Sequence, residues 1–192
     1  WNQTTEDWAL FIGQGCVRGR RSPRGELVAT GAALPYGEGQ GWISMVLVAT
    51  AFRHRGLASE LLDDSVAWLR ERGLTPVLDA TPAGAPVYQR LGFVSGMAFE
   101  RWEHAGAAFA APDATLRRAG VQDLPAITAA DEGASRVGRR SLLQSFLQRP
   151  GTQAWITDDG RGFAIARAGP RATQIGPLVA ADEGLAWQLL QQ

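Results

Sequence analysis

An internal repeat limits the fold of this chain more than any other feature of its sequence. The heptapeptide GLASELL at residues 56–62 is similar to GLAWQLL at residues 184–190. Each heptapeptide follows an apolar stretch that ends in Leu-Val-Ala, at residues 47–49 and 178–180. An apolar run, a short connection and leucines at helical spacing indicate a strand, a loop and a helix. The chain is therefore predicted to contain two structural units of the same kind.

The pattern around the first copy predicts a meander of strands, followed by alternating helices and strands. Aromatic residues at helical spacing predict a helix over residues 1–11. Thr81 followed by Pro82 is typical of a helix start, and Gly92 is typical of a helix end. In this unit we predict a further helix at residues 58–69 and strands at residues 16–20, 26–34, 42–48, 76–79 and 93–102.

The second unit follows an alanine-rich segment, residues 105–112, which also contains a glycine and a proline and is predicted to be a linker. Residues 1–104 and 113–192 are then the two domains. In the second domain we predict strands at residues 115–118, 154–157, 162–167 and 173–179, and helices from Asp123, at 141–147 and at 184–190.

The two copies are cut at different points of the shared pattern. The strand and helix at residues 115–130 have no counterpart before residue 1, and the elements at residues 76–102 have no counterpart after residue 192. We therefore expect the natural protein to extend beyond both ends. The first domain would lack its first strand and helix, and the second domain would lack its C-terminal part.

The overall composition excludes several classes of function. The 19 basic residues balance 19 acidic residues, whereas nucleic-acid binding needs a basic surplus. Cys16 is the only cysteine and there are two histidines, so we predict neither a disulfide nor a metal site. The longest apolar run, around residues 43–52, is too short for a membrane span, and we expect a cytoplasmic protein with no membrane partner.

The connection in the first repeat is basic and contains a glycine, in the order Arg53-His54-Arg55-Gly56-Leu57-Ala58. The first N–H groups of a helix have no partner in the helix, so they bind anions. A glycine allows the backbone to approach a phosphate closely, and arginine binds phosphate with two N–H groups. The segment therefore predicts a phosphate site, with a solvated basic turn as the alternative. It is no dinucleotide fingerprint, because only one of the three glycines is present.

Two motifs resemble those of the GNAT superfamily of N-acetyltransferases. Residues 46–58 are similar to its acetyl-CoA motif, and Tyr88-Gln89-Arg90-Leu91-Gly92-Phe93 is similar to its second motif. Residues 1–102 resemble one GNAT domain, and residues 113–192 resemble part of a second, degenerate one. The resemblance implies an α/β (α+β) fold, with a mixed, mostly antiparallel central sheet flanked by helices and a second, partial GNAT-like domain.

The resemblance also implies roles for individual residues toward acetyl-CoA. The backbone of Val46, Leu47 and Val48 would pair with the pantetheine arm, and an N–H near Val48 would polarise the thioester carbonyl. The amides of Arg53, His54, Arg55, Gly56, Leu57 and Ala58 would hold the pyrophosphate. Tyr88 would protonate the departing CoA thiolate, unless it is only a packing aromatic of the last helix.

The sequence leaves the general base open. An amine must lose a proton before it attacks a thioester, and Asp79 follows the strand that leads to the tyrosine helix. Glu38, Glu100 and a chain of water molecules are the alternatives. Asp79 has a structural alternative as well, because it lies close enough to Thr81 to cap the turn there.

The implied activity is direct transfer of an acetyl group to a primary amine, carried by a small molecule or a peptide, in a ternary complex. A non-catalytic acyl-CoA-binding module is the alternative. Trp1, Trp8 and Tyr36 either line an acceptor pocket or pack in the core. A homodimer is left open.

The second copy has lost the basic connection. Its loop before the glycine is Ala181-Asp182-Glu183, which is acidic and three residues shorter than the loop at residues 50–55 of the first copy. It is therefore predicted to bind no acyl-CoA.

Overall fold

The computed structural model describes residues 2–104 and 116–192 of the chain. Trp1 and the predicted linker at 105–112 lie outside these described residues. The first part of the chain has the element order α1 (Thr5–Gln14), β1 (Cys16–Arg21), β2 (Leu27–Tyr36), β3 (Gln40–Val48), α2 (Leu57–Arg70), β4 (Thr75–Leu78) and α3 (Ala85–Arg90).

A capping box sets the start of α1. The Asp7 N–H donates to the Thr4 hydroxyl at 3.4 Å, and the Thr4 N–H donates to the Asp7 carboxylate at 2.9 Å. The helix consequently begins four residues later than the predicted start at residue 1. It ends at Gly15, where an added Cβ would lie 2.1 Å from the Ala33 carbonyl oxygen of β2.

The first sheet has the order β1-β2-β3-β4, with antiparallel pairs except for the parallel pair of β3 and β4. Helix α2 packs closely on one face. Two strand glycines make this approach possible, since an added Cβ on Gly31 would lie 3.1 Å from Leu61, and one on Gly41 would lie 2.0 Å from Leu69. The core beneath the helix consists of Ala33, Ile43, Leu62, Leu69 and Leu74.

The second part repeats this plan with a fully antiparallel sheet of the order β5-β6-β7-β8. Its elements are β5 (Leu116–Arg118), α4 (Leu124–Ser135), α5 (Arg140–Gln148), β6 (Gln153–Thr157), β7 (Gly162–Arg167), β8 (Gln174–Ala180) and α6 (Glu183–Leu190). The predicted fold class, two mostly antiparallel sheets flanked by helices, is confirmed.

The two parts share one hydrophobic core. Leu10 of α1 and Leu34 of β2 belong to the same buried cluster as Leu143, Phe146 and Ile165 of the second part. The turn between β2 and β3 also touches the second part, because an added Cβ on Gly37 would lie 3.2 Å from the Gly138 carbonyl oxygen. Helix α1 therefore joins the two sheets.

The prediction of a strand at residues 93–102 is wrong. Residues 93–104 contain no strand, and Val94 and Trp102 are 93% and 85% exposed. An added strand would have to pair with β4, which is four residues long and includes Pro76, a residue with no N–H to donate. The apolar alternation of this segment thus has no buried face in the structure.

The helix predicted to start at Pro82 starts later, at Ala85. The Thr81 hydroxyl accepts the Gly84 N–H at 3.2 Å, and the Thr81 carbonyl accepts the Ala85 N–H at 2.9 Å. Thr81 therefore closes a turn ahead of the helix rather than capping the helix itself. Across the described residues, every helix is too short or too polar to cross a bilayer.

Candidate functional site

A bulge bends β3 in the middle of the first sheet. Thr30 pairs with Leu47 and Ala32 pairs with Ser44, so Met45 and Val46 together face a single residue of β2. Met45 has φ 53°, which is uncommon for a residue with a side chain. Its carbonyl accepts a hydrogen bond from the Thr30 hydroxyl at 2.9 Å. The sequence does not indicate this bulge, because residues 42–48 carry no glycine or proline that would mark it.

From the bulge onward, one edge of β3 is open. The ladder between β3 and β4 ends at the pair Ile43 and Leu78, while Leu47 and Val48 continue to pair with β2. Among the described residues, no strand pairs with the other edge of Val46, Leu47 and Val48. An extended ligand with amide groups can hydrogen bond to such an edge as an added strand does.

The loop after β3 winds back toward the start of α2. A short 3-10 helix, Thr50–Phe52, comes first, and the chain then turns at His54 (φ 61°) and Gly56 (φ 81°). The Arg53 side chain donates to the Val48 carbonyl at 3.3 Å, and Arg55 donates to the Ala51 carbonyl at 3.1 Å. Because these arginines are exposed, their remaining N–H groups are accessible to a ligand.

The N-terminus of α2 is uncapped. Gly56 occupies the cap position, no described side chain bonds there, and an added Cβ on Gly56 would meet nothing within 4 Å. The first backbone bond of this turn runs from the Glu60 N–H to the Gly56 carbonyl at 3.0 Å. The N–H groups of Leu57, Ala58 and Ser59 consequently lack helical partners and form a site suited to a phosphate.

Tyr88 lies half-buried in α3 and packs against the first core. Its ring meets the Phe93 ring edge-on, with the centroids 6.2 Å apart, and Val46 packs against the same core. Burial raises the pKa of the Tyr88 phenol, so the hydroxyl keeps its proton at neutral pH. The structure thus places a proton donor on the core that also contacts the open strand.

Asp79 directly follows the point where β3 and β4 separate. Partial burial raises the pKa of its carboxyl group, while a hydrogen bond with the Trp42 side chain lowers it. The Trp42 ring stacks on Tyr36 with 5.4 Å between centroids. Of the alternative bases, Glu38 is exposed in the β2–β3 turn and Glu100 is exposed in the irregular segment.

Two of the aromatic residues suggested for an acceptor pocket have packing contacts. Tyr36 packs against the core that the two parts share, and its pKa is raised by burial. Trp8 is partly buried and lies 6.2 Å from Phe11 between ring centroids. The contacts of Tyr36 and Trp8 are thus those of packing residues, whereas Trp1 lies outside the described residues.

The second part has the same bulge at the equivalent position of the repeat. Ala164 pairs with Leu178 and Ala166 with Ile175, so Gly176 and Pro177 occupy the places of Met45 and Val46. Pro177 has no N–H to offer a ligand. The N-terminus of α6 is capped, because the Asp182 carboxylate accepts the Leu185 N–H at 2.9 Å.

Comparisons with known protein families match both parts of the chain to models of the same kind of protein. The model of the acetyltransferase (GNAT) family matches residues 3–93, and that of an acetyltransferase (GNAT) domain matches residues 127–192. No curated protein sequence matches the chain.

Two solved structures are similar to this chain over most of its length. A predicted acetyltransferase from Pyrococcus horikoshii is 22% identical with a TM-score of 0.73, over 88% of this chain and 57% of that one. A GCN5-related N-acetyltransferase from Kribbella flavida is 24% identical with a TM-score of 0.55, over 97% of this chain and 54% of that one. At these identities the likeness concerns the fold, and the chain spans little more than half of each relative.

Proposed function

The chain belongs to the GNAT acetyltransferase family, with a family domain in each part, and we propose that the first domain transfers an acetyl group from acetyl-CoA to a primary amine. The family uses acetyl-CoA and acetylates amine acceptors. We assign residues 1–104 to this domain, 105–112 to a linker and 113–192 to the second domain.

The observation that carries the proposal is the open edge of β3 beside the uncapped start of α2. The pantetheine arm contains amides that the backbone of Val46, Leu47 and Val48 would bind. The pyrophosphate would then lie against the N–H groups of residues 56–59, where Gly56 leaves room for it. Arg53 and Arg55 supply positive charge at the same loop.

In the proposed reaction, the neutral amine attacks the thioester carbonyl carbon, and a backbone N–H near Val48 stabilises the oxygen that becomes negative. Asp79 accepts the proton of the amine, directly or through water, and afterwards releases it to solvent. When the carbon–sulfur bond breaks, Tyr88 gives its proton to the thiolate. Tyr88 is then reprotonated from solvent, and the products are an amide and free CoA.

The test is the release of CoA thiol from acetyl-CoA, followed with a panel of amino acids, polyamines, aminoglycosides and peptides. Release should be slow with acetyl-CoA alone and rise severalfold or more with at least one amine. Binding of acetyl-CoA without faster release for any amine would favour the non-catalytic binding module instead. The acetylated amine is then identified by mass.

A further inference from the structure

A crevice opens where the two domains meet, away from the loop at residues 53–58. Its volume is about 220 Å³. One wall is the start of α1 and the other is formed by the segments that follow α5 and β7. The residues on its walls include Thr4, Glu6, Arg149, Thr152, Arg167 and Gly169.

Two buried arginines in this wall share one carboxylate. The Arg149 and Arg167 side chains are 10% and 9% exposed. The Asp7 oxygen Oδ1 lies 2.5 Å from Arg149 Nη1 and 3.6 Å from Arg167 Nη1. The other oxygen of Asp7 accepts the Thr4 N–H in the capping box. Among the residues that the structure describes, the one carboxylate in direct contact with the pair therefore faces two positive charges.

Several donors of the two guanidinium groups have no protein partner. Within residues 2–104 and 116–192, the Nε and Nη2 atoms of Arg149 and the Nε atom of Arg167 form no hydrogen bond. Both groups also lie over the Phe146 ring, at 4.8 and 3.6 Å from its centroid. Burial and the charge of Arg149 lower the pKa of Arg167 to about 10. Buried charged donors without partners are unfavourable, so this pair is poised to accept an anion.

We propose that this interdomain crevice binds a small oxyanion, the carboxylate or phosphate group of a ligand, between Arg149 and Arg167. Guanidinium groups bind such anions through paired N–H donors, and a second arginine adds the charge that Asp7 leaves unbalanced. The unpaired N–H groups are themselves buried, so an anion would reach them after small adjustments of the two arginine side chains.

Glu6 is the other ionisable residue on the wall, and it opposes binding. Glu6 is exposed, and the pKa of its carboxyl group is lowered by hydrogen bonds with the Thr4 side chain and with its own backbone N–H. It is therefore ionised at neutral pH at the rim of the crevice. Removing its charge should strengthen anion binding, whereas removing either arginine should weaken it.

The experiment is a calorimetric titration of the whole chain with inorganic phosphate and, separately, with acetate, at constant ionic strength in sodium chloride. We expect saturable binding of at least one anion, and the anion that binds shows which group the crevice prefers. Arg149→Gln should weaken binding at least tenfold and Glu6→Gln should strengthen it severalfold. Arg161→Gln is the matched control, since Arg161 is an exposed arginine paired with Asp159.

Inorganic phosphate could also bind the loop at residues 53–58, and Gly56→Val separates the two sites. Phosphate binding that persists in Gly56→Val and is lost in Arg149→Gln supports the crevice. The reverse pattern, or no saturable binding by the wild type, overturns it. If Arg149→Gln does not fold, an unchanged affinity in the exposed variant Glu6→Gln contradicts the proposal on its own. If the crevice binds an anion but the chain transfers no acetyl group to any amine, the proposed function is refuted and the crevice site still stands.

Discussion

At the scale of single residues, Tyr88 carries the proposed release of CoA. A phenol has a higher pKa than a thiol, about 10 against about 8.5, and burial raises the pKa of Tyr88 further. The phenol is thus fully protonated at neutral pH but is not driven to give up its proton. Its help in the reaction must come from its position next to the sulfur, which applies only in the chemical step.

We therefore expect Tyr88→Phe to lower kcat by about 10²–10⁴-fold and to leave the affinity for acetyl-CoA nearly unchanged. The ring and its contact with Phe93 are kept, so the unfolding temperature serves as the control. Steady-state kinetics and calorimetry measure the two quantities. Turnover at the wild-type rate would make Tyr88 a packing residue.

As the proposed general base, Asp79 would make the reaction depend on pH. Burial raises the pKa of its carboxyl group above the usual value of about 3.9, and only the ionised form accepts a proton. The rate should therefore rise with pH through that raised pKa, which gives the pH profile an acidic limb. Asp79→Asn should lower kcat at least tenfold and remove this limb. The pH profile of kcat/KM checks it. Glu38→Gln is the matched comparison, and loss of the limb there instead would assign the base to Glu38.

At the scale of elements, the sequence predicted most of the fold because its elements have local signals. The strands at 16–20 and 162–167 and the helix at 184–190 are periodic segments bounded by glycines or turns, and they are confirmed within one residue. The bulge at Met45 has no such signal, since its positive φ is imposed by pairing with β2 and by the bond from Thr30. The segment at 93–102 has the pattern of a strand without a partner strand in the structure.

In the candidate site, too, the features formed by consecutive residues could be predicted from the sequence, and those that depend on distant residues could not. The basic loop and its glycine can be read from the sequence because strand, loop and helix are consecutive. The open edge of β3 could not be predicted, because it depends on where β4 stops pairing with it, at the pair Ile43 and Leu78. The hydrogen bond between Trp42 and Asp79 likewise joins residues of two different strand ends.

The start of α2 gives a prediction at this scale. Valine at position 56 would place a branched side chain where the phosphate is expected and would strain a backbone at φ 81°. Gly56→Val should weaken acetyl-CoA binding at least tenfold, about 1.4 kcal/mol, by calorimetry. Gly160→Val is the control, since Gly160 has φ 70° and open space in the β6–β7 turn. Equal affinity of the Gly56 variant and the control would exclude the loop as the pyrophosphate site.

At the scale of the whole molecule, one hydrophobic core joins the two domains. The start of α2 in the first domain is uncapped, whereas the equivalent start of α6 in the second domain is capped by its own side chain. Leu10 and Leu34 are buried among residues of the second domain, and the β2–β3 turn touches Gly138. The second domain thus supports α1 and the turn that flank the first sheet. This arrangement shows how a repeat that is predicted to bind no acyl-CoA can still support the first domain through packing.

The chain should accordingly bind one acetyl-CoA, not two. In the second domain Pro177 offers no N–H at the position of Val46, and the Asp182 carboxylate already caps α6 where a pyrophosphate would lie. The loop is also acidic, so an anionic pyrophosphate would be repelled at short range. Calorimetry should give a stoichiometry of one, and Gly56→Val should reduce this single binding event without revealing another. A crystal grown with excess acetyl-CoA should show the ligand near Gly56, and electron density for it at Gly184 would contradict the prediction, because the helix could accept the phosphate there only by displacing its own cap.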